Sequence, residues 1–240
     1  MRNSQSIAVK TFFISTFIVC CVVIQTRAAI IQFDLIGTAG NGLLAGNEPG
    51  VSGGTGGEIG AGITFDDATL VLSVNVGWGS GNGFSNLTSA VNNQHIHGPT
   101  TSNYGSGYTQ TAGVEFNLTR SSNNPTNGTI VNNNVVLTAA QMTNLFNGKY
   151  YINVHTVNNA GGEIRGFLVP VPRVNVSVSS TQANLVLSGF TGQRQILQFS
   201  SNFASWTPVV TNTSGTNLFQ FNESNPLQNS QRYYRAVVIP

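Results

Sequence analysis

Apolar positions along this chain recur mostly at every second residue. Thr69 to Val76 sets Leu70, Leu72, Val74 and Val76 against Thr69, Val71, Ser73 and Asn75, the period-2 pattern of a strand with one face in a core. Gly113 to Leu118 alternates in the same way, and Ile30 to Leu35, Glu58 to Phe65, Gln94 to His97, Tyr150 to Thr156 and Glu163 to Val169 are further predicted strands. The stretches Gly37 to Gly57, Trp78 to Asn93 and Gly98 to Thr111 are dominated by Gly, Asn, Ser and Thr and predict loops, and Asn123 to Gly128 predicts a turn. Asp66-Asp67 predicts a tight turn, because Asx side chains accept hydrogen bonds from nearby backbone. One segment departs from the period of two. Thr138 followed by Gln141 forms a capping box and Gly148 a stop signal, so Ala139 to Asn147 is a predicted helix anchored through Leu145 and Phe146.

Pro170-Val171-Pro172-Arg173 interrupts the pattern, since proline removes a ladder donor and restricts the residue before it. A domain boundary is placed there. Beyond it, Asn175 to Ser179, Ala183 to Leu187, Gln195 to Phe199, Thr207 to Thr211, Asn217 to Phe221 and Arg232 to Ile239 are short runs at the spacing of a small β-sandwich. Trp206 and Tyr233 are assigned to its core, because a module this small needs its aromatics for burial. The chain therefore reads as all-β with one short helix, in two units, residues 29–170 and residues 174–240.

At the other end, Arg2 and Lys10 precede an apolar run, Thr11 to Ile24, and Thr26 and Ala28 offer small residues for cleavage after Ala28. Residues 1–28 read as a secretory signal peptide, since the run is shorter than the ~20 residues of a membrane span. This predicts a secreted or extracytoplasmic protein, in a periplasm or at a cell surface, with no membrane span after cleavage. Both cysteines, Cys20 and Cys21, fall inside the segment, so no disulfide is expected afterwards. Arg2, Lys10 and Arg27 would leave with it, and seven basic residues would then face eight acidic ones. No basic stripe remains for nucleic acid.

Charge is scarce, 8% of residues against roughly 25% in an average domain, so its placement is informative. All three histidines and two of the eight acids, Glu115 and Glu163, lie between His95 and Gly166, and the histidines and Glu163 fall in the phrases His95-Ile96-His97-Gly98-Pro99, Asn153-Val154-His155-Thr156 and Gly162-Glu163-Ile164-Arg165-Gly166. In strands, residues i and i+2 share a face, so His95 and His97 point one way and Glu163 and Arg165 share a side. Between the first two phrases, Tyr104 and Tyr108 are the large side chains of the Gly98 to Thr111 loop. They are read as loop anchors, or as a stacking surface for a sugar.

These phrases, with the step from Leu137 to Phe146 before Asn153-Val154-His155-Thr156, resemble the CHRD domain, the module named after chordin and found in many bacterial secreted proteins. The resemblance covers about Ile30 to Pro170. It implies an immunoglobulin-like, Greek-key β-barrel or sandwich, distantly similar to copper/zinc superoxide dismutase, and no established chemistry. Leu197 to Thr216 with the closing Arg232-Tyr233-Tyr234-Arg235 is similar to a small β module at the C-termini of secreted bacterial proteins.

Two functions fit. In the first, the protein is a non-catalytic, extracellular or cell-envelope module that binds an unidentified protein or polysaccharide or acts structurally. His95, His97, His155, Glu163 and Arg165 then form one hydrogen-bonded network that needs no cofactor, with Glu163 and Arg165 partly neutralising each other. In the second, His95, His97 and His155 are the ligands of a single copper or zinc ion, with Glu163 as a fourth ligand or the acceptor that orients an imidazole. Full dismutase chemistry is excluded, because a two-metal site needs more histidines than three. Hydrolysis has no Gly-x-Ser-x-Gly elbow, His-Glu-x-x-His helix or P-loop to rest on, and the protein is read as no enzyme.

Overall fold

Eleven antiparallel strands of one sheet carry the first unit of the chain. The computed structural model describes residues 29–121, 124–179, 182–190, 192–213, 218–224 and 231–239. The predicted signal peptide, residues 1–28, and Asn217 at the start of one predicted strand lie outside the described residues. The elements are β1 (Ile30–Gly37), β2 (Gly40–Asn41), β3 (Leu43–Leu44), β4 (Thr55–Glu58), β5 (Ile63–Asp66), β6 (Val71–Trp78), β7 (Val91–His97), β8 (Val114–Asn117), β9 (Gly128–Val136), α1 (Ala139–Phe146), β10 (Tyr151–Thr156) and β11 (Ile164–Pro170). Hydrogen bonding runs β1-β5-β6-β4-β3-β11 and returns from β11 to β1, so the sheet closes on itself. The β3–β11 step is a single bridge, Arg165 with Leu44. From β11 the sheet continues through β10 and β7 to β8, while β9 adds to β6.

The alternation that predicted β6 is the alternation that fills the interior. Leu72, Val74 and Val76 are fully buried with Ile63, Phe65, Ile96, Ile130, Ile152, Val154 and Ile164, each worth roughly 1.5–3 kcal/mol of burial. The helix begins as predicted: Thr138 Oγ1 accepts from the Gln141 N–H (3.3 Å), and Gln141 Oε1 accepts from the Thr138 N–H (2.9 Å). Leu145 is fully buried, and the Phe146 ring packs on Phe33 and Phe65. In the Asp66-Asp67 turn, Asp66 Oδ1 accepts from the N–H groups of Ala68 (2.9 Å) and Thr69 (3.3 Å).

Three predicted stretches are corrected, and one strand lies outside the pattern. Gly37 to Gly57 is not loop throughout, because it contains β2, β3 and the first three residues of β4. Glu58 to Phe65 is not one strand: Gly60 and Gly62 take φ of +56° and +68° and turn the chain between β4 and β5. Trp78 to Asn93 is not loop throughout, because a fully buried Trp78 ends β6 and Val91 begins β7. Strand β9 escaped the pattern. It pairs through one edge only, with Asn132, Asn133 and Asn134 in its middle, and its register with β6 shifts between Val74 and Val76.

After Pro170 the chain leaves this sheet. β12 (Arg173–Val178) and β13 (Gln182–Ser188) pair with each other, and β14 (Gln195–Ser200) with β15 (Thr207–Asn212). β16 (Leu218–Ser224) then joins β13, and β17 (Tyr233–Val238) joins β14, giving two three-stranded sheets around Ala183, Leu185, Leu187 and Leu197. Trp206 and Tyr233 are not in this core. Alternation along β17 turns Tyr234 inward, so Tyr233 stacks on an exposed Phe203 and Trp206 lies half-buried under Arg235. Val238 and Phe190 pack against a second apolar layer, Ile36, Tyr104, Tyr108, Tyr151, Phe167 and Val169, on the outer face of the large sheet. No helix among the described residues is long and apolar enough to cross a membrane.

Candidate metal centre

β7 and β10 pair antiparallel with Tyr151 opposite His97, Asn153 opposite His95 and His155 opposite Asn93. Ile96, Ile152 and Val154 fill the interior, so alternation sends His95, His97 and His155 to the outer face. An outer face is ordinarily wet, yet these histidines are only 7–8% exposed. Two loops wall them in: residues 98–113, which follow the Gly98-Pro99 cis peptide bond, and residues 157–163, which join β10 to β11. Gly98 is required at the first corner, since a Cβ there would land on the Tyr150 ring.

The rings converge. His95 Nδ1 is 3.2 Å from His155 Nε2, and His97 Nε2 is 3.1 Å from the same atom. The three ligand atoms lie within 4.8 Å of one another. The far nitrogens of two of the rings are already committed. His97 Nδ1 is 3.0 Å from the Ala112 carbonyl and His155 Nδ1 is 2.9 Å from the Ala160 carbonyl. A carbonyl only accepts, so each Nδ1 carries the proton, and in the neutral ring each Nε2 is a bare lone pair. His97 and His155 thus aim two lone pairs at each other, and His95 has one proton with which to satisfy one of them. Burial, followed by the neighbouring imidazoles, pushes His95 below the ordinary imidazole value. Burial also lowers His97, with the Ala112 carbonyl opposing it. Lowered values keep these imidazoles neutral near pH 7, the form in which they can bind a metal.

The other two predicted residues lie elsewhere, and the five do not form one network. Glu163 accepts from the Gly54 N–H (3.1 Å), the Thr88 N–H (2.7 Å) and hydroxyl (2.7 Å), the Thr156 hydroxyl (2.8 Å) and Asn159 Nδ2 (3.2 Å). Burial alone would raise its carboxyl, but these donors outweigh it and hold the group below the usual carboxylate range. Glu163 neither touches an imidazole nor neutralises Arg165. Arg165 is fully buried, donates to the carbonyls of Asn47, Gln110 and Tyr108 (2.7–3.2 Å), and lies 3.7 Å from Glu48. Asn153 Nδ2 donates to the same Glu48 carboxylate (2.8 Å).

Both charges nevertheless bear on the histidines through the loops. Arg165 holds the carbonyls of Tyr108 and Gln110, two residues before the Ala112 that orients His97. Its guanidinium also lies 5.2 Å from the Tyr151 ring, which stacks on His97. Glu163 fixes Thr156 and Asn159 at the base of the loop whose Ala160 carbonyl orients His155. Sequence reasoning missed Ala112, Ala160, Asn47 and Glu48. The first two act through backbone atoms, which leave no residue-type signal, while an acid in the Gly/Asn-rich stretch of so uncharged a chain was a usable signal for Glu48. Tyr104 and Tyr108 are buried anchors, and the sugar-stacking reading falls with that burial.

The histidines open onto a cavity of about 280 Å³ whose wall also includes Asn92, Asn93, Val114 and Ala160. A larger, mainly apolar cavity of about 430 Å³ lies among β12, β13 and β17. It coincides with no metal-ligating cluster among the described residues.

The family model of the CHRD domain matches residues 41–168, more than half of the chain, and the matched span contains all three histidines, Glu163 and Arg165. The chain belongs to the CHRD-domain family. No curated protein and no solved structure matches it. The CHRD match starts after β1, yet β1 pairs with β11 from Phe33 to Ile36 and closes the sheet, so the folding unit extends beyond the matched residues. CHRD is a module family not known as enzymatic.

Proposed function

We propose that this CHRD protein is a non-catalytic module, exported to an extracytoplasmic space, that binds one copper or zinc ion through His95, His97 and His155. The observation that carries the reading is the pair of Nε2 lone pairs, 3.1 Å apart, whose tautomers are set by two backbone carbonyls. Neutral imidazoles alone leave those lone pairs opposed, and a shared cation turns the opposition into attraction. Zinc–imidazole bonds of about 2.0–2.1 Å in tetrahedral array place nitrogens about 3.3 Å apart, close to the two short separations here. Imidazole suits both zinc and copper. Carbonyl acceptors on the remote ring nitrogens supply the outer-shell orientation that metal-bound histidines ordinarily have.

The test is elemental analysis of the protein from an exporting host, followed by zinc and copper titration of a stripped sample. One equivalent should bind, and His155→Asn should weaken binding by at least about tenfold, the lower end of what even outer-shell changes cost. Absence of bound metal in wild type, or unchanged binding in the variant, would refute the site.

A further inference from the structure

The proposed metal is surrounded by neutral groups, and this determines what completes its coordination. Three imidazoles contribute no charge, and no carboxylate belongs to the cluster among the described residues. The two nearby buried acids are committed elsewhere: both Glu163 oxygens to Gly54, Thr88, Thr156 and Asn159, and Glu48 to Arg165 and Asn153. A divalent ion would therefore keep its full charge while most of its solvent is excluded, a costly state unless an anion is at hand. The vicinity adds positive potential, since Arg165 lies behind the Tyr151 ring that covers His97. Access is available on the remaining side. The cavity wall there includes Val114, which is half exposed, and Asn92 and Asn93, which are exposed and offer amides rather than charge.

Resting on the metal reading, we infer that the fourth coordination position is an exchangeable site for a small exogenous anion. The ligand class is a single-charged donor such as azide, thiocyanate or the carboxylate end of a small molecule, which enters through the cavity and displaces a water. Three protein ligands and one open position is the arrangement of metal sites that exchange ligands, whereas a purely structural zinc site is closed by four protein ligands.

The experiment uses the full exported chain loaded with one equivalent of copper(II), with metal content measured first, and titrates it with azide. A saturable azide-to-copper charge-transfer absorption with one-to-one stoichiometry is expected. Val114→Asp, on the exposed cavity wall, introduces a carboxylate at the open side. It should retain copper and weaken the azide response by at least about tenfold, because the internal anion occupies the position. Copper bound at one equivalent with no azide-dependent absorption, or an undiminished azide response in Val114→Asp, would overturn the inference and leave the metal reading standing. Failure to load copper or zinc would overturn the metal reading itself, and with it this inference.

Discussion

Glu163 shows how one side chain can matter to a site it never touches. Its five hydrogen bonds reach Gly54, Thr88, Thr156 and Asn159 and tie together three loops. Replacement by Gln keeps the shape but turns one acceptor oxygen into a donor facing donors. Glu163→Gln should cost ~2–4 kcal/mol in chemical denaturation, the range for disrupting a buried hydrogen-bonded charge. The pH dependence follows from the sign of the shift. The folded carboxyl titrates below its ordinary value of 4.5, so its stabilisation is present above that value and is lost as pH falls through the folded one. The variant should accordingly show a flatter acid limb of stability below about pH 4.5. An unchanged acid limb would mean that Glu163 is not held ionised by these donors. Glu48 works in the opposite direction, because burial, against Arg165 and Asn153, raises its carboxyl.

Among the elements, the β10–β11 connection is where fold and site meet. Gly162 has φ +130°, and a Cβ there would strike the Asn153 side chain. Asn153 in turn donates to the Gly161 carbonyl (3.2 Å) and to Glu48 (2.8 Å). Gly162→Ala should displace the loop that carries Ala160, costing ~1–3 kcal/mol from strain at a special backbone position. It should also weaken metal binding through the lost orientation of His155. The contrast is Thr138→Ala at the cap of α1, which should cost ~0.5–2 kcal/mol and leave metal affinity unchanged, because nothing in α1 touches the histidines. Equal effects of the two substitutions on metal affinity would break the link between the loop and the imidazole.

Across the whole molecule, Arg165 is the tie between distant parts of the chain. From β11 it holds the carbonyl of Asn47, 118 residues away, and those of Tyr108 and Gln110 in the loop over the outer face. That loop and the second apolar layer also carry Val238 of β17 and Phe190 of the β13–β14 connection, so the guanidinium supports the platform on which both parts rest. Lysine offers a point charge where a planar fork is required. Arg165→Lys keeps a charge beside Glu48 but leaves buried carbonyls unpaired, so it should lower stability by ~1–3 kcal/mol and raise amide exchange across residues 98–113. Exchange that stays unchanged in that loop would show that Arg165 does not hold it.

The sequence by itself determined what depends on local period and residue type. The strands of alternating Leu, Val and Ile, the capping box at Thr138, the Asp66 turn and the shared face of His95 and His97 all follow from spacing, because neighbours along the chain settle them. The tertiary structure alone decided what depends on register and on loop closure. It placed His155 diagonally across from His95, separated Glu163 from Arg165, gave Arg165 its partner Glu48, and brought the carbonyls of Ala112 and Ala160 to the imidazoles. Backbone oxygens have no letter in the sequence. Contacts spanning about a hundred residues exist only once the sheet has closed and one-residue register choices have fixed which side chains share its outer face.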